Sequence, residues 1–131
     1  MANLNKNKMA KEQLKQIKGY EDYYVSNLGN IYSTKDPNGR YKGQRHQIKP
    51  SKNKSGYLYA NIFWGSGPKE RSSLRIHKLV YQHFVGCIPE GFVIDHMNAD
   101  KKDNRIENLQ LLTPSQNTLK YHRIDKSKRT K

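Results

Sequence analysis

The stretch that decides the fold is Val93-Ile94-Asp95-His96-Met97-Asn98-Ala99-Asp100-Lys101-Lys102-Asp103-Asn104-Arg105-Ile106-Glu107-Asn108-Leu109-Gln110-Leu111-Leu112-Thr113-Pro114-Ser115-Gln116. Phe92-Val93-Ile94 is a short apolar run that ends in Asp95-His96, and Leu109–Leu112 is a second one. Runs of this length between polar segments read as buried strands. The segment from Met97 to Glu107 is polar and charged throughout and reads as a loop. Thr113-Pro114-Ser115-Gln116 has the form of a capping box with proline at the first helical position, which predicts a helix to about Tyr121. The order is therefore strand, loop, strand, helix.

Upstream, Ile76, Leu79, Val80 and Phe84 recur at helical spacing, with Gly86 placed to end the helix and Pro89 shortly beyond. Tyr57–Trp64 instead alternates, with Leu58, Ala60, Ile62 and Trp64 on one face and Tyr57, Tyr59, Asn61 and Phe63 on the other. The turn Gly65-Ser66-Gly67-Pro68 lets Glu70–Arg75 return as its partner strand. Tyr23–Ser26 and Asn30–Ser33 flank the turn Asn27-Leu28-Gly29, a hairpin. Residues 35–46 read as a loop, and Gln47–Lys49 as a short strand stopped by Pro50. Residues 1–15 read as a flexible basic arm, with a short helix over Met9–Ile17 as the alternative. The class is α+β, with a small antiparallel β-sheet module ahead of the strand–loop–strand–helix unit. Small sheets need aromatics to fill a thin core, so Tyr57, Tyr59, Phe63 and Trp64 are expected inside, with stacking on bases as their other use.

The 131 residues include 25 Lys+Arg against 11 Asp+Glu, a formal net charge of +14. Only 34% are hydrophobic, so a large core is excluded and very small modules are expected. No apolar stretch is long enough to span a membrane and no secretory signal opens the chain, so a cytoplasmic protein, bacterial or in a phage-infected host, is expected. The single Cys87 excludes an internal disulfide and a multi-cysteine zinc finger, and is simplest as a small apolar group. Such a charge calls for a polyanion, nucleic acid before an anionic membrane surface.

The charge is unevenly spread. Residues 40–78 hold 10 basic groups and one acid, Glu70, and residues 118–131 hold six and one acid, Asp125. Residues 90–107 hold five acids against Lys101, Lys102 and Arg105, a local net of −2. That is sensible if the segment holds a cation beside phosphates. Asn108 follows His96 by 12 residues and Asn117 follows nine later. A carboxylate with an amide carbonyl suits Mg²⁺, and a histidine beside it can take a proton from water. The plainer alternative is that Asp95 and His96 merely end a strand and Asn108 is a turn residue.

The run Arg75-Ile76-His77-Lys78-Leu79-Val80, then Phe84, then Val93 through Thr113, resembles the HNH endonuclease family, in the branch of phage and intron homing endonucleases. Ile17-Lys18-Gly19-Tyr20-Glu21-Asp22-Tyr23-Tyr24-Val25-Ser26-Asn27-Leu28-Gly29-Asn30-Ile31-Tyr32-Ser33 is similar to the nuclease-associated modular motif that precedes HNH domains. The resemblance implies a ββα-metal finger, in agreement with the order read above. It implies that His96 is the general base, that Asp95 and Asn117 bind one divalent ion per site, Mg²⁺ with Mn²⁺ as substitute, and that Asn108 clamps the loop around His96 as part of the catalytic set. Asn117 stands where the family name has histidine, a variant common in the homing branch. His122 lies about 140° around a helix from Asn117 and would point away, so it is not a ligand candidate.

The domains expected are then a flexible basic arm (1–15), a β-rich DNA-binding module (16–75), an HNH nuclease domain (76–121) and a basic tail (122–131). Arg40, Lys42, Arg45, Lys49, Lys52, Lys54, Arg71 and Arg75 are the candidate DNA contacts. Arg105 either joins them or pins its loop. His77 is expected to pack or to touch a phosphate, His83 to be an exposed helix residue and His46 a loop residue. The expected function is metal-dependent hydrolysis of double-stranded DNA by a nicking monomer with no small-molecule cofactor. The alternatives are a non-catalytic DNA-binding protein that keeps the finger as scaffold and, more distantly, a basic RNA-binding protein.

Overall fold

A computed structural model of the chain describes residues 11–36, 39–65 and 69–120. The first ten residues of the expected arm, residues 66–68 of the Gly-rich turn and the tail with His122 lie outside the described residues. Strands β1 (Leu14–Ile17), β2 (Tyr20–Ser26), β3 (Ile31–Ser33) and β4 (His46–Ile48) form an antiparallel sheet in that order. Strands β5 (Ser51–Lys52), β6 (Leu58–Phe63) and β7 (Arg71–Arg75) form a second. Helix α1 (Ile76–Phe84) follows, then β8 (Val93–His96), a 3₁₀ turn over Ile106–Asn108, β9 (Leu109–Leu112) and a helix, α2, over residues 114–120.

Each element forms for a local reason. In β6–β7 the pairs Tyr59↔Arg75, Asn61↔Ser73 and Phe63↔Arg71 face one side, while Ala60↔Leu74 and Ile62↔Ser72 face the other. Ala60 and Ile62 are fully buried, so the period of two read from the sequence sets which face meets α1. Helix α1 buries Ile76, Leu79 and Val80 and ends as the N–H groups of Val85 and Gly86 both donate to the Tyr81 carbonyl. At the start of α2 the Gln116 N–H donates to Thr113 Oγ1 (3.2 Å) and the Thr113 N–H to Gln116 Oε1 (2.9 Å), the reciprocal box the sequence announced.

Several expectations need correction. Residues 14–17 form a strand paired with β2, not an arm or a helix, and Ile17 is 1% exposed. The expected aromatics do not fill the core: Phe63 and Trp64 are exposed, and the buried cluster is mainly aliphatic, with Tyr23 its one fully buried aromatic among the described residues and Tyr20, Tyr81 and Phe84 packed at its edge. A thin layer between two twisted sheets and one helix leaves room for branched aliphatics, whereas Phe63 sits on the sheet face that α1 does not cover. Finally, Phe92 and Val93 are exposed, while the polar end of that strand, Asp95 and His96, is buried.

The buried residues of both halves form one cluster, running from Ile17, Val25 and Ile31 through Ile62 to Ile76, Val80 and Leu109. Each large aliphatic buried this way contributes about 1.5–3 kcal/mol. His83, expected to be exposed, is half-buried and tied in: its Nδ1 lies 2.8 Å from the Leu79 carbonyl and its Nε2 accepts the Lys18 N–H at 3.1 Å. His46 lies in β4 and stacks on Tyr41, with centroids 3.6 Å apart.

Candidate active site

Strands β8 and β9 pair as Asp95↔Gln110 and His96↔Leu109. Successive side chains on a strand point to opposite faces, so the two chemical groups of β8 meet different neighbours. Asp95 turns toward α2. Its Oδ2 accepts from Gln110 Nε2 at 2.8 Å and from Lys120 Nζ at 2.6 Å. The same ammonium donates to the His96 carbonyl at 2.7 Å. His96 turns toward the first half of the chain, its ring centroid 5.4 Å from His77 and 6.0 Å from Tyr57. Its Nε2 lies 2.7 Å from Asn104 Oδ1.

The loop between the strands is closed by Asn108. Its Oδ1 accepts the Asn98 N–H at 3.1 Å, and its Nδ2 donates to Asn98 Oδ1 and to the Asp103 carbonyl, both at 2.9 Å. The Met97 N–H adds a 2.8 Å bond to the Asn108 carbonyl. Asp95, His96, Asn104 and Asn108 are all at least 94% buried, so these four polar side chains are shielded from solvent within an otherwise largely exposed loop region. Arg105 donates to both oxygens of Asp103 (2.8 and 2.9 Å), which holds that carboxyl down to about 2, and also reaches Glu107. Its guanidinium pins the loop while remaining half exposed.

Tyr57 joins the halves. Its ring lies beside His77 and His96 and is approached by the cations of Arg75 (5.2 Å) and Lys101 (4.8 Å). His77 packs, as one of its two readings expected, at 5% exposure, and burial together with the charge of His96, Arg75 and Lys78 pushes its pKa down to about 4. It is therefore neutral at physiological pH.

Asp95 and His96 at the end of β8 and Asn108 just before β9 are thus buried at the two ends of the loop, and Asn117 lies on α2 one turn before Lys120, on the same helix face. Arg40, Lys42, Arg45, Lys49, Lys52, Lys54, Arg71 and Arg75 are all exposed. Arg71 and Arg75 share the outer face of the second sheet with Tyr59 and Phe63. An open cleft of about 940 Å³, lined by Tyr23, Lys35, His46, Asn61 and Phe63 among others, holds none of the four candidate groups. Sequence reasoning missed Asn104, Lys120 and Gln110. Gln110 was findable, because cross-strand pairing with Asp95 follows from the two strands once their register is known.

The donors suit a hard divalent cation. The Lys120 ammonium already stands as a cation on the Asp95 carboxylate and two backbone carbonyls, His96 and Met97. Among the described residues no group of three or more His, Cys, Asp or Glu is placed to hold a metal. A site made of one carboxylate and one amide is the kind in which Mg²⁺ keeps several waters.

These features define a strand–loop–strand–helix unit with a buried carboxylate–imidazole pair, preceded by two small antiparallel sheets, and both parts have relatives among known proteins. Residues 75–119 match the HNH endonuclease family and residues 12–63 the NUMOD4 motif. The chain belongs to the HNH endonuclease family. It is 39% identical over 100 residues to the DNA endonuclease I-HmuI of Bacillus phage SP01, covering 76% of this chain and 51% of that protein. An uncharacterized HNH endonuclease, L247, of Acanthamoeba polyphaga mimivirus is 33% identical over 111 residues, 83% of this chain and 25% of the relative. A solved structure of I-HmuI, described as showing DNA binding and cleavage by the HNH homing endonuclease, superposes with a TM-score of 0.67 at 31% identity, covering 86% of this chain and 59% of that one. The chain spans about half the length of the phage relative. Among the described residues no helix is long and apolar enough to cross a membrane.

Proposed function

We propose that the chain is a metal-dependent endonuclease of the homing type that hydrolyses phosphodiester bonds in double-stranded DNA, nicking one strand as a monomer and using no small-molecule cofactor. The observation that carries this is the buried Asp95-His96 pair at the end of β8, each group fixed by its own hydrogen bonds and the loop closed by Asn108. A strand end that merely stopped would put such groups in water. Here a carboxylate and an imidazole are 4% and 3% exposed.

In this reading His96 takes the proton from the attacking water, as a general base held rigid by its neighbours. Asp95 and Asn117 would hold the divalent ion, Mg²⁺ or Mn²⁺, and the chemistry it would supply there is Lewis-acid stabilisation of the charge that develops on the phosphate and the leaving 3′ oxygen. Asn108 keeps the backbone of residues 97–98 and 103 in one geometry, so that His96 and Asp95 do not drift apart. The exposed Arg40, Lys42, Arg45, Lys49, Lys52, Lys54, Arg71 and Arg75 neutralise phosphates along the duplex. Arg105 contributes through its loop, since its guanidinium is committed to Asp103.

The test is nicking of supercoiled plasmid with Mg²⁺ by the full chain, compared with His96→Ala and with EDTA. General-base removal should cost about 10²–10⁴ in rate. Equal activity in the variant would remove His96 from the mechanism. Tight DNA binding with no metal-dependent cleavage would establish the non-catalytic scaffold instead.

A further inference from the structure

Asn104 is 3% exposed in a loop that is otherwise charged and solvated, and its amide is used in only one direction. Its Oδ1 lies 2.7 Å from His96 Nε2, while its Nδ2 is buried with no hydrogen-bond partner. An orphaned amide donor is something folded proteins rarely carry. It is retained where the other half of the group has a task that an apolar side chain cannot perform.

That task follows from donor and acceptor chemistry. An amide oxygen can only accept, so the hydrogen between the two residues sits on His96 Nε2. In a neutral imidazole the lone pair is then left on Nδ1. The bond to Asn104 thus selects which nitrogen is free to take a proton and fixes the plane of the ring.

The support for Asn104 comes from the first module. Gly29, in the turn between β2 and β3, has φ +87°, and a Cβ added there would lie 2.8 Å from Asn104 Cβ and 3.1 Å from its carbonyl carbon. Two residues past Asn104, the Ile106 N–H donates to the Asn27 carbonyl at 2.8 Å. The turn itself is stiff: Ser26 Oγ accepts from the N–H groups of Leu28 (3.2 Å) and Asn30 (3.1 Å), and the Gly29 N–H donates to the Ser26 carbonyl. The backbone of Gly29 therefore lies directly against the Cβ and the main chain of Asn104, the base from which its amide projects to His96.

We propose that Asn104 is a positioning residue that holds His96 in its Nε2–H tautomer with Nδ1 as the proton-accepting nitrogen, and that the Asn27–Asn30 turn of the first module is the buttress that keeps Asn104 in place. This rests on the reading of His96 as the general base. The first module then does more than grip DNA, because it completes the geometry of the site that cuts it.

The experiment uses the full chain and reads two things: the ring ¹⁵N shifts of His96 in metal-free protein, which report the tautomer, and kcat and KM for plasmid nicking. Wild type should show protonated Nε2 and a bare Nδ1. Asn104→Leu, similar in shape but with no acceptor, should mix the tautomers and lower kcat by about 10–100-fold with KM within twofold. Asn104→Asp, which restores the acceptor, should recover most of kcat. Gly29→Ala should reproduce the Asn104→Leu spectrum and loss of kcat, although it touches neither His96 nor the loop's hydrogen bonds.

A wild-type His96 protonated on Nδ1 overturns the proposal without reference to any variant. So does Asn104→Leu with unchanged tautomer and kcat. A Gly29→Ala protein identical to wild type in both readouts removes the buttress. Full activity in His96→Ala is a different failure, since it removes the base reading beneath the proposal.

Discussion

The Lys120 ammonium occupies the place of a cation, and its removal gives a result that few other substitutions would. In Lys120→Met the Asp95 carboxylate, 4% exposed, keeps Gln110 as its one hydrogen-bond donor among the described residues. Breaking a buried ion pair typically costs about 3–5 kcal/mol. Lys120 is 22% exposed, so part of that is screened and about 2–3 kcal/mol is the reasonable loss in metal-free protein. The same interaction must be given up when a divalent ion takes Asp95. Its removal should therefore tighten metal binding by about 30- to 150-fold, at about 1.4 kcal/mol per factor of ten. Mn²⁺ binding followed by electron paramagnetic resonance gives the dissociation constant directly, and urea unfolding with and without Mg²⁺ gives the linked stability. The variant should be less stable than wild type without metal and should gain more from it. Equal Mn²⁺ affinity in the two proteins would refute the competition, and would mean that the ion binds away from Asp95.

His77 supplies a pH dependence. Its folded pKa, about 4, lies below the ordinary 6.5, so its contribution to stability is complete above pH 6.5 and is lost as pH falls toward 4, roughly 3 kcal/mol in total. The groups around it are His96, Tyr57, Arg75 and Lys78, none of which compensates a charge on His77. Urea midpoints for wild type against His77→Phe should diverge in that window, and parallel curves would contradict the burial of a neutral imidazole. Asp103, held down to about 2 by Arg105, weakens the loop only at lower pH, so the two effects separate. Asn108→Ala removes three side-chain hydrogen bonds and should cost about 2–4 kcal/mol by urea denaturation, with DNA affinity little changed. If about six of the exposed cations meet phosphates, log K for DNA should fall against log salt with a slope near −5, and a slope near −1 would move the binding surface elsewhere.

The two strands, the loop and the capped helix of residues 93–120 were legible because each carries a local signal: apolar runs, a polar interval, a Thr-Pro-Ser-Gln box. The alternation of residues 58–63 was legible for the same reason. Strand β1 was not, since Leu14-Lys15-Gln16-Ile17 has only two apolar groups and becomes a strand through pairing with β2. Asp95, His96, Asn108 and Asn117 could be nominated as chemistry-bearing groups ahead of any coordinates. Their supports could not. Asn104 looks solvated among Asp100–Glu107, yet it is buried, with Gly29, 75 residues earlier, packed against it. Lys120 reads as one more basic residue, and its partner Asp95 is 25 residues away.

The shared core has a consequence for how such proteins can be rebuilt. Ile17, Val25 and Ile31 lie in the same buried cluster as Ile76, Val80 and Leu109. Grafting the finger onto a foreign recognition unit would therefore strip one wall from its own interior. Chimeras designed by cutting near residue 75 should be insoluble or slack unless the donor supplies a matching wall and a glycine opposite Asn104. On the proposed function, recognition and scission would be exchanged as one piece, and retargeting would belong on the exposed face of the second sheet, at Phe63 and Arg71 and away from the Arg75–Tyr57 contact.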